Sequence, residues 1–204
     1  MKRTIAGAVV LVATLPMTLL RAEQHVLDLT VPRSGHVGDG EGCATGWSGR
    51  KAPELPLELR LVLDRASYFL GSFVVYDVTV RNAGLRSVTL PWTAQRVNDP
   101  ASKLEAIVSL FTTDDGGKQH WLTGTMLFGD ARASGTTLIL QPGETARIHN
   151  AGVVNVPESN ARRVAAENGH GREIRAQMMV SAVNCDWSAP ILSQPVSVTM
   201  RRNP

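Results

Sequence analysis

Residues able to do acid–base, metal or nucleophilic chemistry are sparse in this chain, and their spacing gathers few of them. The five histidines, His25, His36, His120, His149 and His170, never stand at the separations that bring imidazoles onto one ion from a helix face or a short loop. The stretch Gly38 to Gly42, GDGEG, offers Asp39 and Glu41. A phosphate cradle there would need a strand before it, a helix after it and a lysine in register. A calcium loop would need alternating oxygen ligands closed by a distal glutamate. Neither context surrounds it. Asp114 and Asp115 stand together before Gly116 and Gly117, which is turn chemistry rather than two carboxylates facing one bond. No GxSxG nucleophile elbow occurs. The sequence is read as non-enzymatic, with no catalytic residues, no metal ligands and no cofactor.

Cys43 and Cys185 are too far apart for a CxxC redox or metal motif. In an exported chain they predict one intramolecular disulfide. Closing a loop of about 140 residues contributes on the order of 4 to 5 kcal/mol in the chain-entropy model. Trp187 then packs beside that bond. Export is itself predicted from the N-terminus, where Lys2 and Arg3 precede an apolar run from Ile5 to Leu20 and a small residue, Ala22. Residues 1–22 read as a signal peptide, because the run contains Pro16 and is shorter than the roughly 20 residues a membrane span needs. Its removal takes Lys2, Arg3 and Arg21 and leaves 18 basic against 18 acidic residues. A neutral chain without a basic stripe does not carry the footprint of a nucleic-acid binder. No stable membrane insertion is expected after cleavage, and the chain is placed in the periplasm or outside the cell.

Positioning falls to strands. Residues 23–56 form a Gly-rich arm in which HVLDLTV offers a first strand, and residues 57–204 form the domain. Leu57, Leu59, Leu61 and Leu63 alternate with Glu58 and Arg60, while Val74, Tyr76, Val78 and Val80 alternate with Asp77, Thr79 and Arg81. Further strands are read through Val88 to Trp92, Ala106 to Leu110, Lys118 to Leu122, Leu138 and Leu140, Ala146 and Ile148, Ile174 to Ala182, and Val196 to Met200. Leu127 to Ser134 reads as irregular, and Pro157 to Asn168 as one short rim helix. The expected fold is all-β, an antiparallel immunoglobulin-like β-sandwich of about eight or nine strands.

YFLGSFVVYDVTVRNAG, VTLPW, LQPGE and ILSQPVSVTMR together resemble the Ig-like or fibronectin-like domains of bacterial envelope proteins. A narrower likeness is carried by LPWTAQRVND, DGGKQHWLTGTMLFGDA and LILQPGE, which are similar in order and spacing to the BsuPI-type proteinase-inhibitor family. The matching positions are Gln95, Arg96, Asp99, Gly117, Lys118, Trp121 and Phe128. These resemblances imply a binding module of the cell envelope that presents loops to a protein partner. Gln95, Arg96, Asp99, Leu127 and Phe128 are the candidate binding residues, in the loops Thr93 to Ser102 and Leu127 to Thr136. The alternative is an inhibitor in which Arg96 or Leu127 enters the specificity pocket of a proteinase, and a second is a structural accessory domain. Trp92, Trp121 and Phe128 are expected in the core. The sequence does not set the oligomeric state.

Overall fold

The computed structural model describes residues 25–30, 54–69, 72–95, 103–113, 117–130, 132–153, 171–181 and 187–201. The residues expected to form the signal peptide and the rim helix, most of the Gly-rich arm, Cys43, Cys185, Arg96 and Asp99 lie outside them. Twelve strands run through the described residues: β1 (His25–Asp28), β2 (Leu57–Leu63), β3 (Ser67–Phe69), β4 (Phe73–Asn82), β5 (Val88–Pro91), β6 (Lys103–Thr113), β7 (Gln119–Asp130), β8 (Thr137–Leu140), β9 (Thr145–Val153), β10 (Gly171–Ser181), β11 (Ile191–Leu192) and β12 (Val196–Arg201). That exceeds the expected eight or nine, because β1 lies in the arm ahead of the domain and β3 and β11 are pieces of two or three residues that carry too little alternation to be read alone. The described residues contain no helix.

Three sheets result. One has the order β1-β9-β4-β2, the second runs β3-β12-β10-β6-β7 with β11 paired to β10, and β5 with β8 forms a ribbon. The expectation of a wholly antiparallel arrangement is corrected at two edges, where β1 lies parallel to β9 and β3 parallel to β12. These contacts join segments more than 100 residues apart, so no local turn dictates their direction.

The alternation read in the sequence becomes the inner faces of the two larger sheets. Val74, Tyr76, Val78 and Val80 of β4 meet Ala106, Val108 and Leu110 of β6 and Ile174, Ala176 and Met178 of β10 in one buried cluster, giving a sandwich-like arrangement. Each such aliphatic side chain contributes about 1.5 to 3 kcal/mol when removed from water. A buried polar cluster is admitted between the sheets. Asn150 Nδ2 donates to the Tyr76 hydroxyl at 2.9 Å and to Thr125 Oγ1 at 2.7 Å, tying β9 and β4 to β7. Burial, opposed by the hydrogen bonds of Asn150, Thr125 and Thr123, pushes the Tyr76 phenol up to about 12.

A register shift between Leu110 and Phe111 divides the β6–β7 hairpin. Leu110 pairs with Thr123 and Phe111 with Trp121, so Leu122 is the extra residue of a β-bulge. On β7 the buried positions change phase there, from His120 and Leu122 to Leu127 and Gly129. This explains why Leu127 to Asp130 read as irregular: the strand continues to Asp130 with its faces exchanged, and residues 132–134 form the turn expected there.

Two turns are locked by side chains. Asn82, at the end of β4, donates from Nδ2 to the carbonyls of Arg86 and Leu140 and accepts the amide of Gly84 on Oδ1. It thereby fastens the β4–β5 turn to the β8–β9 turn, where Gly143 adopts the left-handed φ of 82° that glycine takes without steric cost. After β2, the Asp64 carboxylate accepts from the Tyr68 hydroxyl at 2.7 Å and from Arg65 Nε at 2.9 Å.

Candidate interaction face

The two large sheets carry opposite chemistry on their outer faces. Outward from the first sheet stand Glu58 beside Arg81, Arg60 beside Thr79 and Arg147, and Asp77 beside His149, with Asp28 next in that row. Arg81 meets Glu58 at 3.0 Å, Arg147 Nε meets Asp77 Oδ1 at 3.0 Å, and His149 Nδ1 lies 2.7 Å from the same oxygen. These are cross-strand neighbours in partial contact with water, worth roughly 0 to 1 kcal/mol each. They make a solvated ladder. The described residues hold no group of three or more histidines, cysteines or carboxylates able to hold a metal ion.

The outer face of the second sheet differs. Its rows, across β10, β6 and β7, are Arg175–Phe111–Trp121, Gln177–Ser109–Gly124, Met179–Ile107–Met126 and Ser181–Glu105–Phe128. Phe111 is 2% exposed beneath Trp121, whose ring stands 5.6 Å away at 59°, while Trp121 itself is 49% exposed. Ile107, Met126, Phe128 and Met179 are half-buried. An outward tryptophan followed by methionine, isoleucine and phenylalanine forms an apolar strip along β6 and β7.

The sequence did contain a signal for this strip. AIVSLF at residues 106–111, MMV at 178–180 and TMLF at 125–128 place apolar side chains on both phases of the strand. Runs of that kind belong to strands covered on both faces.

The residues singled out from the sequence fall in several places. Leu127, expected in a binding loop, is a fully buried residue of β7, because the bulge turns its phase inward. Phe128 is half-buried in the same strand and exchanges both backbone hydrogen bonds with Thr93, at 2.7 and 3.1 Å. Gln95 is exposed, and its amide donates to Thr93 Oγ1 at 3.1 Å. The segment around Thr93 is thus brought against the end of β7, and Trp92, half-buried against the core, donates its amide to the Thr136 carbonyl. Trp121 corrects the expectation of a core aromatic: it lies at the far end of β7 and faces solvent. Trp187 is half-buried and bridges Ser181 of β10, with an indole N–H that meets no acceptor among the described residues.

No family model matches the chain, and no curated protein matches it. Solved structures similar to it include the C-terminal domain of Wzt, at 9% identity and a TM-score of 0.38 over 74% of this chain and 76% of that one. The sporulation control protein Spo0M from Bacillus subtilis is similar at 12% identity and a TM-score of 0.36 over 73% of this chain. The chain spans about half of Spo0M, 51% of its length. A CARDB domain from Pyrococcus furiosus follows at 12% identity and a TM-score of 0.32, over 79% of this chain and 98% of the domain. Scores of this size carry no argument about activity, and the all-β architecture rests on the strands themselves.

Proposed function

We propose that the chain is an exported, non-enzymatic binding module of the bacterial cell envelope, built as an Ig-like β-sandwich and directed at a protein partner. The observation that supports this reading is the apolar outer strip of the second sheet, Trp121, Phe111, Met126, Ile107 and Phe128, facing away from the shared core. Trp121 stands exposed at one end of the strip over buried Phe111, and half-buried Met126, Ile107 and Phe128 continue it past the Gly124–Ser109 row. Aromatic and methionine side chains grouped on one outer face are the composition of an interaction surface. The leader-like residues 1–22 support the placement beyond the inner membrane, the compartment in which the disulfide expected between Cys43 and Cys185 would form. Leu127 does not enter a proteinase pocket in this reading, since it is buried in the core.

The test is capture of envelope proteins by residues 23–204, followed by titration of each captured protein, purified, against the module. Trp121→Ala on this surface is expected to weaken the titrated complex by about tenfold or more, as truncation of an aromatic anchor does. A complex unaffected by Trp121→Ala sinks the assignment of this face.

A further inference from the structure

The second sheet ends at β7, so one side of that strand pairs with β6 and the other is an edge. Phe128 shows which backbone groups face the edge: its N–H and C=O both bond to Thr93, on the side away from β6. In an antiparallel ladder the direction of these groups alternates residue by residue. Met126 and Gly124, two and four residues back with no bulge between, therefore also direct N–H and C=O outward. No described residue bonds to those outward groups.

Edges are commonly guarded by charge or proline. On β2, at the end of the first sheet, Ser193 bridges Leu59 and the charged Glu58 and Arg60 flank it. From Gln119 to Gly129, β7 carries no Lys, Arg, Asp, Glu or Pro. Gly124 also has no side chain between Trp121 and Met126 on the outer face, so the apolar strip is notched at the edge.

We propose that the edge of β7 takes up an extended peptide segment of a partner protein as an added strand, bonded to Gly124 and Met126, with an apolar side chain seated on Trp121. The inference rests on the binding-module reading above and names the class of partner. A row of backbone donors and acceptors with no partner among the described residues is complementary to an extended backbone, and alternate side chains of the added strand supply specificity. A second copy of this chain fits less well. Twofold pairing about Thr125 would set Gly124 against Met126 of the copy and Phe128 against Leu122 of the copy, where Thr93 already lies.

The experiment begins with the free protein. Amide hydrogen exchange measured by NMR is expected to be fast at Gly124 and Met126 and slow at Thr123 and Thr125, which bond to β6. The probe is a displayed library of unstructured dodecapeptides, with selected peptides titrated by fluorescence anisotropy. Bound peptide is expected to protect the Gly124 and Met126 amides. Met126→Pro removes the outward N–H and leaves the bonds to β6, and it is expected to weaken binding about tenfold, whereas Met126→Leu retains it. Should Met126→Pro fail to fold, peptides N-methylated at alternate amides take its place and are expected to lose binding on one phase only.

No selectable peptide, or equal affinity with Met126→Pro and no new protection, overturns strand addition. If Trp121→Ala still weakens the partner complex in that case, the binding face stands without the added strand. If it does not, both fail.

Discussion

Asn82→Ala probes the joint that holds the β5–β8 ribbon against the end of β4. Asn82 is wholly buried, and its side chain bonds the carbonyls of Arg86 at 2.8 Å and Leu140 at 2.9 Å and the amide of Gly84 at 2.9 Å. Alanine deletes all three bonds, while the Leu140 carbonyl keeps its place opposite Val88 in the β5–β8 ladder. At about 1 kcal/mol for each bond the loss is about 3 kcal/mol. In a domain of this size that lowers Tm by about 10 °C. Urea denaturation followed by tryptophan fluorescence measures it.

Asn82→Asp supplies the control. It keeps an acceptor for Gly84 but sets a carboxyl oxygen against two carbonyls, which raises the folded-state pKa of the new group above its unfolded value near 4. A raised pKa gives stability that is present below the unfolded value and lost as pH rises through the folded one. Asn82→Asp should therefore match Asn82→Ala at pH 7 and move toward wild type near pH 4. A loss below about 1 kcal/mol for Asn82→Ala refutes the reasoning. It would mean that the backbone bonds, Asn82 N–H to Glu144 and Gly143 N–H to Asn82, hold the two turns unaided.

Gly152→Ala builds a Cβ against Thr123 Oγ1 and 3.0 Å from Thr123 Cβ, so it should cost about 1 to 3 kcal/mol. Thr123→Ala in the same chain should return most of that, and the double-mutant cycle measures the coupling. The chain has two tyrosines, and burial raises both, with the Asp64 hydrogen bond adding to it at Tyr68, each to about 12. Phenolate absorbance should appear near pH 12 in the native protein and near pH 10 in urea, with stability falling as pH rises between those values. Burial alone would raise the Asp64 carboxyl, but the Tyr68 hydroxyl, Arg65 and the Val75 amide outweigh it and hold it below the usual value. Its contribution is present above the unfolded pKa and lost on acidification, so wild type should lose more stability than Tyr68→Phe as pH falls below about 4. Asp77→Ala removes partners of Arg147 and His149 in a half-exposed ladder and should cost no more than about 1 kcal/mol, less in high salt.

The inner faces of β2, β4, β8, β9 and β10 were legible because a strand's side-chain period is a local property of its backbone. Leu57 to Leu61, Val74 to Val80 and Ile174 to Val180 needed no knowledge of their neighbours to declare a buried side. The short strands, the parallel pairings at β1 and β3, and the union of the Thr93 segment with Phe128 depend on contacts between segments far apart in sequence. Leu127 was expected on a loop and is found in the core, and Trp121 was expected in the core and is found exposed on the outer face of β7. The cause is a single inserted residue, Leu122, whose effect on facing exists only relative to the partner strand β6. By itself, then, the sequence determined an all-β chain with alternating core strands. Tertiary structure alone decided which apolar residues are turned outward, because every strand has two apolar-capable faces and only the sheet packed against it selects the inner one.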